Sequence, residues 1–177
     1  MGKTLAVVIN GAGGTGKDTF VEMVREHLQG ENLTSSNHSS VDQVKRAARI
    51  LGWDEVKDER GRQFLSDLKD LSTQVFDGPM KFMSGLIAER NLDVMFFHIR
   101  EPQEIAKFLE AHEGSISVLV SRDGVNVFGN HADKNVENHP YTTYVDNNGS
   151  LEDLDQYAAQ FARVLAEDHR RLNHAPR

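Results

Sequence analysis

With 177 residues, the chain is long enough to bury a core as one domain and does not require a second. Its 20 basic and 27 acidic residues leave a net charge of -7, which disfavours nucleic acid or an anionic membrane as partner, so any anionic ligand must be gathered locally. Cysteine is absent, excluding disulfides and thiolate metal sites, and no apolar run approaches the roughly 20 residues of a membrane span. The short, weakly basic N-terminus leads straight into glycine-rich sequence rather than a signal peptide, and a cytoplasmic protein is expected.

In chain order, Leu5 to Asn10 is a short apolar run ending at glycines, the pattern of a buried parallel strand. Phe20, Val21, Val24 and Leu28 then recur at helical spacing with Glu22, Arg25 and Glu26 opposite, predicting a helix that ends near Gly30. A weakly patterned second strand is placed at Leu33 to Ser36. Apolar residues every three or four positions predict helices over Val41 to Leu51 and Glu59 to Phe76, the second through Phe64, Leu68, Leu71 and Val75. A further helix over Met80 to Arg90 leads into a central strand at Val94 to Ile99. Pro102 opens another helix, strands follow at Ile116 to Val120 and Thr142 to Val145, and Ser150 caps a last helix with Glu152 and Asp153 in its first turn. Alternating strands and helices imply a mostly parallel sheet covered on both faces, with ligands bound beyond the carboxyl ends of the strands.

Gly11, Gly13, Gly14, Thr15, Gly16 and Lys17 lie within G-x4-G-K, between the first strand and the first helix. Glycines allow successive amides to turn inward around phosphate oxygens, and the lysine reaches the terminal phosphates. Gly11, Gly13 and Gly16 also spell the dinucleotide fingerprint, which makes an oxidoreductase the rival reading. That fingerprint expects a carboxylate at the end of strand two. Glu31 precedes that strand, none follows until Asp42, and a dinucleotide leaves Lys17 unexplained.

After the lysine the usual magnesium-binding hydroxyl is replaced by Asp18, with Thr19 one place later. A loop ending Gly16-Lys17-Asp18-Thr19 resembles those of the adenylate-kinase-like nucleotide kinases, particularly deoxynucleoside monophosphate kinases, and animal-type phosphomevalonate kinases have a similar Gly-Lys-Asp. The resemblance implies a three-layer α/β/α P-loop fold with about five parallel strands in the order 2-3-1-4-5. It implies one kinase domain over 1–177, with a helical acceptor-binding insert at 41–90, a lid at 122–141, and ATP with magnesium as cofactors. Thr19 maps onto a threonine that helps hold phosphate in that family. Asp18 would assist magnesium through water, since a carboxylate in direct contact with phosphate is repelled.

Phosphoryl transfer asks for cations around developing charge. Lys45, Arg46, Arg49, Lys57, Arg60, Arg62 and Lys69 supply a surplus where resembling kinases insert their acceptor-binding helices; Lys45, Arg49, Arg62 and Lys69 are the substrate-binding candidates, against the alternative of a solvated basic face. Arg100 follows an internal strand at the active edge, where the resemblance gives an arginine contact to the acceptor phosphate. Glu101 either holds magnesium through water or serves as a carboxylate at a helix N-terminus. Arg122 opens the candidate lid, which holds only Lys134 besides, and an ordinary surface loop accounts for the segment equally well. His131, Asp133 and His139 have no spacing with a metal mechanism behind it. Asn147 to Gly149 stand where related kinases pack the adenine base, and a turn leading into a helix explains them as well.

The expected function is ATP- and magnesium-dependent phosphoryl transfer to a small phosphorylated acceptor, foremost a nucleoside or deoxynucleoside monophosphate. A phosphomevalonate-like kinase and a nucleotide-binding regulatory module with little catalysis are the alternatives. Lys17, Asp18, Arg100 and Arg122 are the candidate catalytic residues.

Overall fold

The computed structural model describes residues 2–125 and 136–174. It is an α/β structure with five parallel strands: β1 (Leu5–Asn10), β2 (Ser35–Ser39), β3 (Val94–His98), β4 (Ile116–Ser121) and β5 (Thr143–Asp146). Six helices accompany them among the described residues: α1 (Lys17–Gly30), α2 (Asp42–Ile50), α3 (Glu59–Phe76), α4 (Gly78–Glu89), α5 (Pro102–Ala111) and α6 (Leu151–His174). The strand order is β2-β3-β1-β4-β5, as expected. No described helix is long and apolar enough to cross a membrane.

The chain divides into two compact units, residues 1–37 with 91–177 and residues 38–90. In the first, β1 runs between β3 and β4, with Leu5 opposite Val94 and Val7 opposite Ile116. Every β1 residue is buried because helices cover both faces, which is why Leu5 to Ile9 are continuously apolar rather than alternating. Leu5, Val7 and Ile9 point to one face, where Phe20, Val24 and Leu28 of α1 meet Leu154, Ala158, Phe161 and Leu165 of α6. The rings of Phe20 and Phe161 lie 5.8 Å apart, a tilted packing that adds to simple area burial. On β3, Phe97 packs its ring 5.2 Å from that of Phe108 on α5.

The second strand falls at Ser35–Ser39 rather than Leu33 to Ser36. Leu33 instead packs against the core, and Thr34 is tied to Asp93, whose carboxylate Oδ2 accepts from the Thr34 amide at 2.8 Å and hydroxyl at 2.7 Å. The residues that do form the strand are polar and half-buried, so apolar patterning could not mark them.

Residues 38–90 fold as three helices with Val44, Ala48 and Met83 buried among them. Asp58 caps α3, its carboxylate accepting from the Gly61 amide at 2.7 Å. The stripe predicted along α3 is present, but its C-terminal half is not a core face: Leu71 is 59% and Val75 57% exposed. Three helices offer too little facing surface to cover an 18-residue helix along its length.

Ser150 opens α6 as expected, and the geometry is a capping box. The Asp153 amide donates to Ser150 Oγ at 3.1 Å, while Asp153 Oδ2 accepts from the Ser150 amide at 2.8 Å. Ser150→Ala is expected to lower the melting temperature by about 2–4 °C, read by calorimetry. Bonds from Ser150 hold the Asp153 carboxyl below its ordinary 3.8. A depressed folded-state pKa gives stability that is present above the unfolded value and lost as pH falls through the folded one. The gap between wild type and Ser150→Ala should therefore narrow as pH drops from about 5 to 3.

Candidate active site

The glycine loop leaves the carboxyl end of β1 and enters α1 at Lys17, at the edge where an open parallel sheet gathers ligands. Its backbone demands glycine at defined places: φ is +152° at Gly11, +87° at Gly14 and +86° at Gly16, values that side chains resist. A Cβ on Gly11 would lie 2.4 Å from the Val120 carbonyl oxygen, so this glycine also lets the loop pass close over β4. Gly16 is the N-cap of α1 and no side chain caps that helix, leaving its first amides without an intrahelical acceptor. Such an N-terminus attracts anions through both donors and dipole.

Two buried asparagines hold the loop at its ends. At the start, Asn10 is 1% exposed; its Oδ1 accepts from the Gly11 amide at 2.8 Å, and its Nδ2 donates to the Arg100 carbonyl at 3.1 Å and to Tyr141 Oη at 2.7 Å. Near the other end, Asn147 Nδ2 donates to the Thr15 carbonyl at 2.8 Å, and a Cβ on Gly16 would stand only 2.3 Å from that nitrogen. Thr15 turns inward, its hydroxyl donating to the Ala12 carbonyl at 3.0 Å.

Lys17 is largely enclosed, its side chain 13% exposed, whereas Asp18 is 78% exposed. Asp18 Oδ1 lies 3.6 Å from Lys17 Nζ and 3.7 Å from Nδ1 of His98, the last residue of β3. Thr19 is exposed on the first turn of α1. Arg100 follows β3 half-buried with its carbonyl fixed by Asn10, and Glu101 is the N-cap of α5 in extended geometry without a side-chain cap bond. Arg122 is exposed directly after β4. Lys17, Asp18, Arg100, Glu101 and Arg122 thus all belong to the carboxyl-end edge of one sheet.

The remaining cations belong to the 38–90 unit. Lys45 on α2 lies 3.7 Å from Asp42 Oδ1. Arg49 holds Glu55 through two bonds of 2.7 and 3.3 Å, which raises the arginine's pKa and lowers that of the carboxylate. Arg62 donates to the Lys57 carbonyl at 2.9 Å, and Lys69 lies on α3. Exposed pairs of this kind contribute little to stability.

Of the candidate lid and metal residues, His131, Asp133 and Lys134 lie outside the described residues. His139 is buried with its ring edge-on to Tyr141 at 4.9 Å, and burial lowers its pKa, favouring a neutral imidazole. Among the described residues no group of three His, Asp or Glu side chains could hold a metal ion.

Asn10, Tyr141 and His98 carried no weight as sites in the sequence. The one available signal was Asn10, a polar residue closing a fully apolar strand. Tyr141 reaches it from 131 positions away and could not have been paired with it by spacing.

No protein-family model matches the chain, and no curated protein matches it. Among solved structures it is similar to APE1195, at 15% identity over 94% of this chain and 97% of that one, with a TM-score of 0.56. It is also similar to a candidate kinase from Chloroflexus aurantiacus, at 12% identity, 95% and 99% coverage and a TM-score of 0.50. The APS kinase of Mycobacterium tuberculosis aligns at 15% identity, 94% and 99% coverage and a TM-score of 0.48, too low to carry weight. Likeness at these identities concerns the fold. With β3 between β1 and β2, the strand order differs from the dinucleotide-binding order 3-2-1-4-5-6. The end of β3, paired with β1, carries His98 and is followed by Arg100 and Glu101.

Proposed function

We propose that the chain is an ATP-dependent phosphotransferase whose glycine loop, residues 11–19, holds the donor phosphates and whose acceptor is a small phosphorylated molecule, foremost a nucleoside or deoxynucleoside monophosphate. The observation that carries the reading is the uncapped N-terminus of α1, preceded by three glycines at positive φ and followed by an enclosed lysine. A lysine at the positive end of a helix dipole is unfavourable for the folded chain alone, so its placement there points to an anionic ligand.

Bound ATP with magnesium supplies the phosphoryl group and part of the charge neutralisation; orientation and the remaining charge are the chain's work. The loop amides meet phosphate oxygens, Thr19 adds a hydroxyl on the first turn of α1, and Lys17 offsets charge on the terminal groups. Asp18 fits magnesium in one way: its exposed oxygens can accept from the ion's water shell, which a hard, reluctantly dehydrated cation retains. Glu101 is the second carboxylate assigned to that shell. Arg100 and Arg122 are assigned to the negative charge of the transferring group, and Lys45, Arg49, Arg62 and Lys69 to the acceptor. The nucleotide-kinase preference rests on the Gly-Lys-Asp-Thr ending of the loop.

A coupled ADP-release assay across ribo- and deoxynucleoside monophosphates tests the reading, with turnover on at least one expected. ATP binding without turnover on any of them would remove the nucleotide-kinase assignment in favour of another phosphorylated acceptor such as phosphomevalonate. Absence of transfer to every phosphorylated acceptor tried would favour a regulatory nucleotide-binding module.

A further inference from the structure

Asn10 is a buried side chain with its bonding groups used on both sides. Its amide bridges two backbone groups: Oδ1 accepts from the Gly11 amide and Nδ2 donates to the Arg100 carbonyl. The second amide proton goes to Tyr141 Oη, which in turn donates to the Val136 carbonyl at 2.6 Å. Burial pushes the Tyr141 phenol up to about 12, so it keeps the proton it donates. One side-chain amide thereby ties together the first residue of the glycine loop, the second residue after β3 and the segment leading into β5.

We propose, building on the phosphate-loop reading above, that Asn10 and Tyr141 are positioning residues for nucleotide binding: the Tyr141 hydroxyl orients the Asn10 amide, which sets the glycine loop against the backbone that carries Arg100. Neither side chain touches the ligand. Tyr141→Phe keeps the ring that packs against His139 and Tyr144 and deletes only the oxygen. The loop then loses one of its fixed references, and the cost falls on ligand geometry rather than only on the fold.

The test is titration of the full chain with a non-hydrolysable ATP analogue and magnesium, alongside melting temperatures. Tyr141→Phe is expected to raise the analogue's Kd about fivefold to thirtyfold. Thr4→Val is the comparison: it deletes a 2.7 Å bond to the Leu92 carbonyl at the residue before the opposite end of β1. It should lower the melting temperature without moving Kd by more than about twofold. In an Asn10→Ala, Tyr141→Phe cycle the two losses should fall short of their product, because both remove one network. An unshifted Kd for Tyr141→Phe with a wild type that binds overturns the proposal alone. A wild type that binds no analogue overturns the phosphate-loop reading with it. Should Asn10→Ala fail to fold, the comparison of Tyr141→Phe with Thr4→Val still decides.

Discussion

Lys17→Ala is expected to lower kcat/KM for phosphoryl transfer by about 10²- to 10³-fold, comparable to removing one preorganised charge-stabilising donor. The same change should leave the melting temperature of the ligand-free chain unaltered or slightly raised. Lys17 sits at the N-terminal end of α1, where the helix dipole opposes a cation, and its side chain is largely enclosed, so little water relieves the conflict. Asp18 Oδ1 at 3.6 Å offsets only part of this. Lost activity with undiminished stability separates a ligand-binding lysine from a structural one, since a structural lysine would take stability with it. The two measurements are initial rates on the acceptor identified by the panel and calorimetry of the ligand-free chain. Near-normal kcat/KM in Lys17→Ala would end the phosphate-loop reading.

The second large effect concerns the backbone of the loop. Gly11→Ala places a methyl 2.4 Å from the Val120 carbonyl oxygen and 2.9 Å from Thr15 Oγ1, at a φ of +152°. The nearer atom belongs to the backbone of a buried central strand, so it cannot swing aside as a side chain would. Strain and overpacking together are expected to cost about 3 kcal/mol, lowering the melting temperature by roughly 6–12 °C in a chain of this size. Gly85→Ala provides the contrast within α4, where a Cβ would meet nothing within 4 Å. That substitution should stabilise by about 0.5–1 kcal/mol through helix propensity alone. If both variants melt together, close passage of the loop over β4 is not what requires Gly11.

Gly16→Ala differs from Gly11→Ala in a useful respect. The atom its Cβ would meet is Asn147 Nδ2, a side-chain atom, so adding Asn147→Ala should relieve the clash and leave the strain of the positive φ together with the loss of the Asn147 bond to the Thr15 carbonyl.

How much of this was legible beforehand follows from which interactions are local. β1 and β3 declared themselves because a strand buried on both faces must be apolar throughout, and α1 because its buried residues recur every three or four positions. The loop was readable because its glycines answer to backbone torsion, a property of each residue and its immediate neighbours. The edge strand at Ser35–Ser39 was misplaced because its position is decided by Thr34 bonding Asp93, 59 residues away, rather than by any pattern of its own. Along α3, periodicity correctly predicted a helix but not which part of its stripe would find a partner.

At the candidate site the same division holds. The G-x4-G-K spacing and Asp18 lie within eight consecutive residues, and sequence alone determined that a glycine loop between a strand and a helix would stand there. Only the tertiary structure decided what holds it. Asn10 meets Tyr141 and the Arg100 carbonyl, and Asn147 meets the Thr15 carbonyl, across separations of 131, 90 and 132 residues. Those pairings are set by the order of parallel strands, which brings distant carboxyl ends to one edge and leaves no periodic trace in the chain.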